Sequence, residues 1–149
     1  LPVYHLDALH WKPGWVPTPE KEWDGLMEKL VAKEKWIIDG NYGRKMDMRL
    51  NAADTIIFLD YPTHIPLYRV LKRRIKYHGK SRPDMGEGCK EKIDWPFLKW
   101  VFHYRRDKRP GVLDMLNPLK ETKQVLIFDA PGELKRFIDQ LREERVKST

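Results

Sequence analysis

The sequence predicts an α/β fold built on a parallel sheet, and three observations carry that prediction. Four short apolar runs, 3–6, 36–38, 55–59 and 124–128, have the length and residue types of strands. Amphipathic helical patterns follow them in turn, the alternation from which parallel βαβ units are made. Each run also ends in an aspartate: Asp7, Asp39, Asp60 or Asp129. In an open parallel sheet, ligands bind beyond the carboxyl ends of the strands.

Taken in order, residues 3–6 read as a short strand. The loop after them holds Trp11, Pro13, Gly14, Trp15, Pro17 and Pro19, which argue against regular structure. Thr18 and Pro19 predict an N-cap and a first helical position. The helix that follows carries Trp23, Leu26, Met27, Leu30 and Val31 on one face, a core stripe. A short polar helix is expected over 44–50. The run 55–59 is the strongest strand, and a helix over 65–78 comes next, stopped by Gly79. Its apolar positions are Leu67, Val70, Leu71 and Ile75, and Arg69, Lys72, Arg73 and Lys76 share one side. Residues 77–92 read as a loop or lid. Asp94 suits the cap of a helix bearing Phe97, Trp100, Val101 and Tyr104, which Pro110 ends. Pro131 opens a last helix with Leu134, Phe137, Ile138 and Leu141 inward, fraying after Glu143.

The 149 residues suit a single domain with a real core. The one cysteine, Cys89, excludes an internal disulfide and makes a reducing cytoplasm the expected compartment. No apolar run has the roughly 18 residues that a membrane helix requires, so no membrane partner is expected. The net charge of +7 is unevenly placed. Residues 69–109 hold 14 Lys and Arg against 5 Asp and Glu, so the whole excess lies there. Such a block is either a solvated face or a polyanion site, for nucleotide phosphates or for nucleic acid.

Chemistry concentrates in residues 35–50. The strand stops at Asp39, then Gly40 and Gly43 bracket Asn41 and Tyr42, and Arg44, Lys45 and Arg49 follow. An acid at a strand end, a turn without bulk and several cations is what a magnesium–phosphate site needs. The competing reading makes Asp39 a helix cap, and Asp60 and Asp129 are expected to be caps. The four acidic strand ends would share one rim, facing the basic segment.

The runs Tyr-His-Leu-Asp at 4–7, Trp-Lys-Pro-Gly-Trp at 11–15 and Trp-Ile-Ile-Asp-Gly-Asn-Tyr at 36–42 resemble the bacterial topology-modulation protein family. So do Ala-Asp-Thr-Ile-Ile-Phe-Leu-Asp at 53–60, Leu-Lys-Arg-Arg at 71–74 and Lys-Arg-Pro at 108–110. The resemblance implies a three-layer P-loop NTPase fold similar to adenylate and shikimate kinases. Helices would cover both faces of its parallel sheet, and a lid-like basic segment would span about 77–110. It implies ATP and Mg²⁺ as cofactors and a nucleotide or small-molecule acceptor for the phosphoryl group. Asp39 resembles the magnesium acid, acting through water. Gly40, Asn41 and Tyr42 would line the acceptor pocket, Asp7 would touch the acceptor, and Arg44 is similar to an acceptor-phosphate arginine. Arg69 and Arg73 look like lid-base arginines for adenine and phosphates, and Arg105, Arg106 and Arg109 like sources of transition-state arginines. The family's Gly-rich phosphate loop has no counterpart in this sequence. About two dozen residues carrying that loop, its strand and its helix are therefore expected ahead of Leu1.

Two other functions compete with a kinase. One is a non-specific DNA-binding module using the basic segment, with Tyr77, Trp95 and Tyr104 as stacking platforms. The other is a non-catalytic remnant of a nucleotide site. The oligomeric state is left open.

Overall fold

The computed structural model describes residues 1–92 and 94–148. Strand β1 (Val3–His5) runs into a short helix, α1 (Leu6–His10), and then a small hairpin of β2 (Trp11–Lys12) and β3 (Val16–Pro17). Helix α2 (Glu20–Val31), strand β4 (Ile37–Asp39), helix α3 (Met46–Ala52) and strand β5 (Thr55–Leu59) follow. Next come α4 (His64–Lys76), α5 (Trp95–Asp107), α6 (Arg109–Leu119), β6 (Gln124–Phe128) and α7 (Pro131–Lys147). The α/β class is as expected.

The chain divides into two compact units: Leu1–Ala53 with Val70–Trp95, and Asp54–Arg69 with Pro96–Thr149. Each holds one parallel strand pair. In unit 1, β1 pairs with β4 in the register Val3–Ile37, Tyr4–Ile38 and His5–Asp39. In unit 2, β5 pairs with β6 from Thr55–Gln124 to Leu59–Phe128, and Asp60 N–H extends the ladder to the Phe128 carbonyl at 2.8 Å. Parallel neighbours need a long crossover, which both pairs have. Among the described residues the strands thus form two-stranded sheets rather than one four-stranded rim.

The core of unit 1 confirms the helical stripe. Trp23, Met27 and Leu30 of α2 close over Leu6, with Tyr4, Leu26, Ile38 and Met48 around them. Leu6 and Met27 have no exposed surface. Burying four such side chains is the main source of stability here, at roughly 1.5–3 kcal/mol each. Gly40 belongs to this core by geometry. Its φ is +145°, and a Cβ there would stand 2.7 Å from Leu6 Cβ, so no side chain fits at the exit of β4.

Several local expectations are corrected. The Pro- and Trp-rich loop does hold regular structure: β2 and β3 pair Trp11 with Pro17 and Lys12 with Val16. Gly14 and Trp15, both at positive φ, turn the chain between them. Thr18 does not cap α2, because its hydroxyl faces the Leu9 and His10 carbonyls at 3.0 and 2.9 Å. Pro19 stands at the N-cap instead. Pro110 does not end a run of helix but opens α6, where a missing N–H costs nothing. Helix α7 continues past Glu143 to Lys147. Of the apolar positions on α4 only Val70 is buried while Leu71 and Ile75 are exposed, and on α5 only Val101 is buried. Ile138 and Leu141 of α7 are exposed too.

Residues 77–92 pack on the hairpin of unit 1. Gly14 N–H donates to the Gly88 carbonyl at 3.0 Å, and Trp15 Nε1–H to that of Lys90 at 3.0 Å. Cys89 is fully buried, its thiol 3.3 Å from the Lys12 carbonyl. Gly88 is required by this contact, since at φ +74° a Cβ would lie 2.8 Å from Pro13 Cβ. The basic span expected over about 77–110 is divided accordingly, up to Trp95 in unit 1 and from Pro96 in unit 2.

Candidate active site

In unit 1 the polar groups gather where β1 and β4 end. The parallel register sets His5 beside Asp39, and their side chains meet, His5 Nδ1 to Asp39 Oδ2, at 2.9 Å. Asp39 remains 66% exposed. Two residues past His5, Asp7 lies in the first turn of α1, and three past Asp39 comes Tyr42. The Tyr42 hydroxyl donates to Asp7 Oδ1 at 2.5 Å. The two chains leaving the sheet are therefore tied twice by side-chain bonds. Burial raises the Tyr42 pKa, and the bond to Asp7 and its charge raise it further, so the phenol keeps its proton.

Behind Asp7 lies a cluster that the sequence did not reveal. Arg82, 7% exposed, places Nη2 3.4 Å from Asp7 Oδ2 and Nη1 3.5 Å from Asp84 Oδ2. Its Nε is 3.2 Å from Glu91 Oε2 without hydrogen-bond alignment. Glu91, 2% exposed, accepts from Arg73 Nε at 3.1 Å. Two arginines thus pair with three acids, and the two buried members, Arg82 and Glu91, are tolerated because they are paired. Arg82 and Asp7 are 75 residues apart, a separation at which no periodicity or motif signals contact.

The turn after β4 is shaped by its arginines. Arg49 is buried and donates from Nη2 to the Tyr42 carbonyl at 2.5 Å, which fixes the backbone that presents Tyr42. Arg44 is engaged by α2: Nε and Nη2 each bond Asp24 at 2.7 Å, and Nη1 lies 3.2 Å from Glu20. That bond holds the Asp24 carboxyl below its ordinary range. Asn41 is exposed.

His10 sits among Trp11, Trp23 and Tyr42, with ring centroids 4.8–4.9 Å away for all three. Its Nδ1 is buried without a partner. Burial lowers its pKa from 6.5, against the opposing charge of Asp7. The unfolded chain therefore takes a proton here before the folded one does. The stability that neutral His10 contributes is complete above about pH 6.5 and is lost as pH falls through the lowered folded value. Urea-unfolding midpoints followed from neutral to mildly acid pH should fall less steeply in His10→Phe than in the wild type. Parallel slopes would refute this.

In unit 2, Asp60 follows β5 and is not a cap. Its buried carboxylate takes Arg109 in a fork, Nε to Oδ1 and Nη2 to Oδ2, both at 2.7 Å. Arg105 Nη1 lies 3.3 Å from Oδ1 and donates to the Asp60 and Tyr61 carbonyls at 3.2 and 3.1 Å. Arg69 stands over the Tyr61 ring at 5.0 Å, a cation–π contact. Asp129 does not cap α7 either, since Ala130 is the N-cap; the Asp129 N–H faces Glu133 Oε2. The structure thus brings Asp7, Asp39, Gly40 and Tyr42 together in unit 1, and Arg105 and Arg109 together in unit 2. Arg69 and Arg73 lie one turn apart on α4.

Among the described residues, no three His, Cys, Asp or Glu side chains converge on a possible metal position. No helix among them is long and apolar enough to cross a membrane. Compared with family models, curated proteins and solved structures, the chain has no match in any of the three.

Proposed function

We propose that the chain is a kinase-like phosphotransferase of the topology-modulation type, with a P-loop NTPase architecture, that uses ATP and magnesium. One observation carries the reading: the end of the β1–β4 pair presents Asp39 held by His5, and Asp7 held by Tyr42, on either side of a side-chain-free turn at Gly40. Ligands of open parallel sheets bind at such ends. Phosphoryl transfer asks mainly for positioning and charge stabilisation.

The residues fit a magnesium ion of that kind. Asp39 is an exposed oxygen donor, and only its Oδ2 is bonded to His5. Magnesium keeps several waters and needs one or two carboxylates alongside phosphate oxygens. Bound there with ATP, the ion supplies charge neutralisation on the phosphates. Asp39 would hold it through water, and His5 would fix the carboxylate's rotamer. Asp7 would orient an acceptor hydroxyl, with the neutral Tyr42 phenol fixing Asp7. Arg69 would serve the base, and Arg73, now bonded to Glu91, would serve the phosphates only on leaving it. Arg105 and Arg109 are the proposed transition-state arginines, and both are paired with Asp60.

The test is calorimetric titration of the full-length protein with ATP, with and without magnesium, then turnover with a panel of nucleosides and small hydroxylated metabolites. Saturable binding that magnesium tightens is expected. Absence of binding in both conditions refutes the proposal.

A further inference from the structure

Helix α5 carries a strip of aromatic rings that its own unit does not bury. Phe97 and Trp100 lie nearly parallel, 11° apart, with centroids at 6.4 Å. Tyr104 continues the strip 5.3 Å from Trp100. Spacings of three and four residues keep all three on one helix face. Phe97 is 37% and Trp100 40% exposed.

Beside this strip is a shallow groove of about 250 Å³, lined by Trp100 and Tyr104 together with Lys99, His103, Asp107 and Lys108. Its one acid, Asp107, is bonded through both oxygens by Arg106, at 2.7 and 3.3 Å, and also faces the charges of His103 and Lys108. Among the described residues, neither the Lys99 nor the Lys108 ammonium makes an ion pair. The groove is therefore cationic as well as aromatic. A purely apolar partner would have no use for two ammonium groups that lack a close ion pair. A duplex offers phosphates but keeps its base faces stacked inside. Single-stranded nucleic acid offers both phosphates and open base faces, and proteins that bind it without sequence preference combine stacking rings with a basic track.

We infer that this face of α5 binds single-stranded nucleic acid, with a base stacked on Trp100 and the backbone phosphates on Lys99 and Lys108. The readout is stacking and charge, so no sequence preference is expected. Binding there needs neither ATP nor magnesium, and its outcome is separate from that of the phosphotransfer proposal.

The experiment is fluorescence anisotropy of a labelled oligothymidylate titrated with the full chain. Saturable binding is expected, weakened about fivefold to a hundredfold in Trp100→Ala, the worth of one stacked base. Trp100→Phe keeps a ring and should stay within about threefold of the wild type, which separates stacking from any loss of fold. Replacing Lys99 and Lys108 together by Gln should reduce the log–log salt slope by about 1.4, at roughly 0.7 per phosphate contact on a single strand. Unchanged affinity in Trp100→Ala overturns the inference. So does equal or tighter binding of the corresponding duplex, or self-association of the chain that Trp100→Ala abolishes while no strand is bound.

Discussion

Replacing Asp60 by Asn should destabilise the chain by about 2–3 kcal/mol, although the two side chains have nearly the same shape. The carboxylate is 8% exposed and serves two guanidinium groups. Asparagine retains one acceptor, but its NH₂ would face an N–H of Arg109, donor against donor, where Oδ2 now accepts at 2.7 Å. Breaking a fully buried ion pair costs roughly 3–5 kcal/mol, because the surviving charge is stranded. Arg109 and Arg105 keep 30% and 38% of their side-chain surface in water, so solvent recovers part of that cost. Equilibrium urea unfolding of the two proteins measures the difference. A midpoint indistinguishable from the wild type would show that the fork contributes nothing to the fold.

The same geometry ranks the two arginines. Arg109 makes the two short, charge-assisted bonds, whereas two of the three Arg105 contacts are to backbone carbonyls. Charge-assisted forks are the stronger class, so most of the coupling with Asp60 lies in Arg109.

What was legible in the sequence is what local pattern encodes. The α2 stripe of Trp23, Met27 and Leu30 appears as a buried face because the 3.6-residue period specifies it directly. The β5 and β6 runs pair over the full stretches that their β-branched and apolar residues predict. The breakers were harder to read. Pro110 looks like a stop, yet proline also suits a first helical turn, and only the chain beyond it decides between the two. Thr18 looks like a cap, but carbonyls eight and nine residues earlier compete for its hydroxyl.

The site was legible in outline and not in its partners. Asp39, Gly40 and Tyr42 stand out as a strand end and a turn. That His5 faces Asp39 depends on the β1–β4 register, and that Tyr42 reaches Asp7 depends on where α1 begins. The Arg82–Glu91 cluster and the Asp60 fork are tertiary facts with no local signature. Their arginines are visible only as members of a basic block, in which a paired cation and a solvated one look alike. The exposure of Trp100 is hidden for a similar reason: amphipathic spacing marks a face without saying that anything covers it.

Asp39→Asn provides the sharpest separation of function from folding. The His5–Asp39 pair is 41% and 66% exposed, and exposed pairs contribute about 0–1 kcal/mol. Asparagine preserves the volume and an acceptor toward His5, so the thermal midpoint should stay close to that of the wild type. The formal charge is what disappears. An acid acting on magnesium through water supports the ion from the outer shell, where loss of such a group typically costs about 10–100-fold in metal affinity or activity. The variant is therefore expected to bind ATP without magnesium as the wild type does, and to lose about 10–100-fold in the tightening that magnesium brings. His5→Ala, which leaves the carboxylate in place and frees only its rotamer, should lose a smaller part of the same tightening. If both variants keep wild-type magnesium dependence at unchanged stability, the ion is held elsewhere, and the pair at the end of β1 and β4 serves only to register the strands.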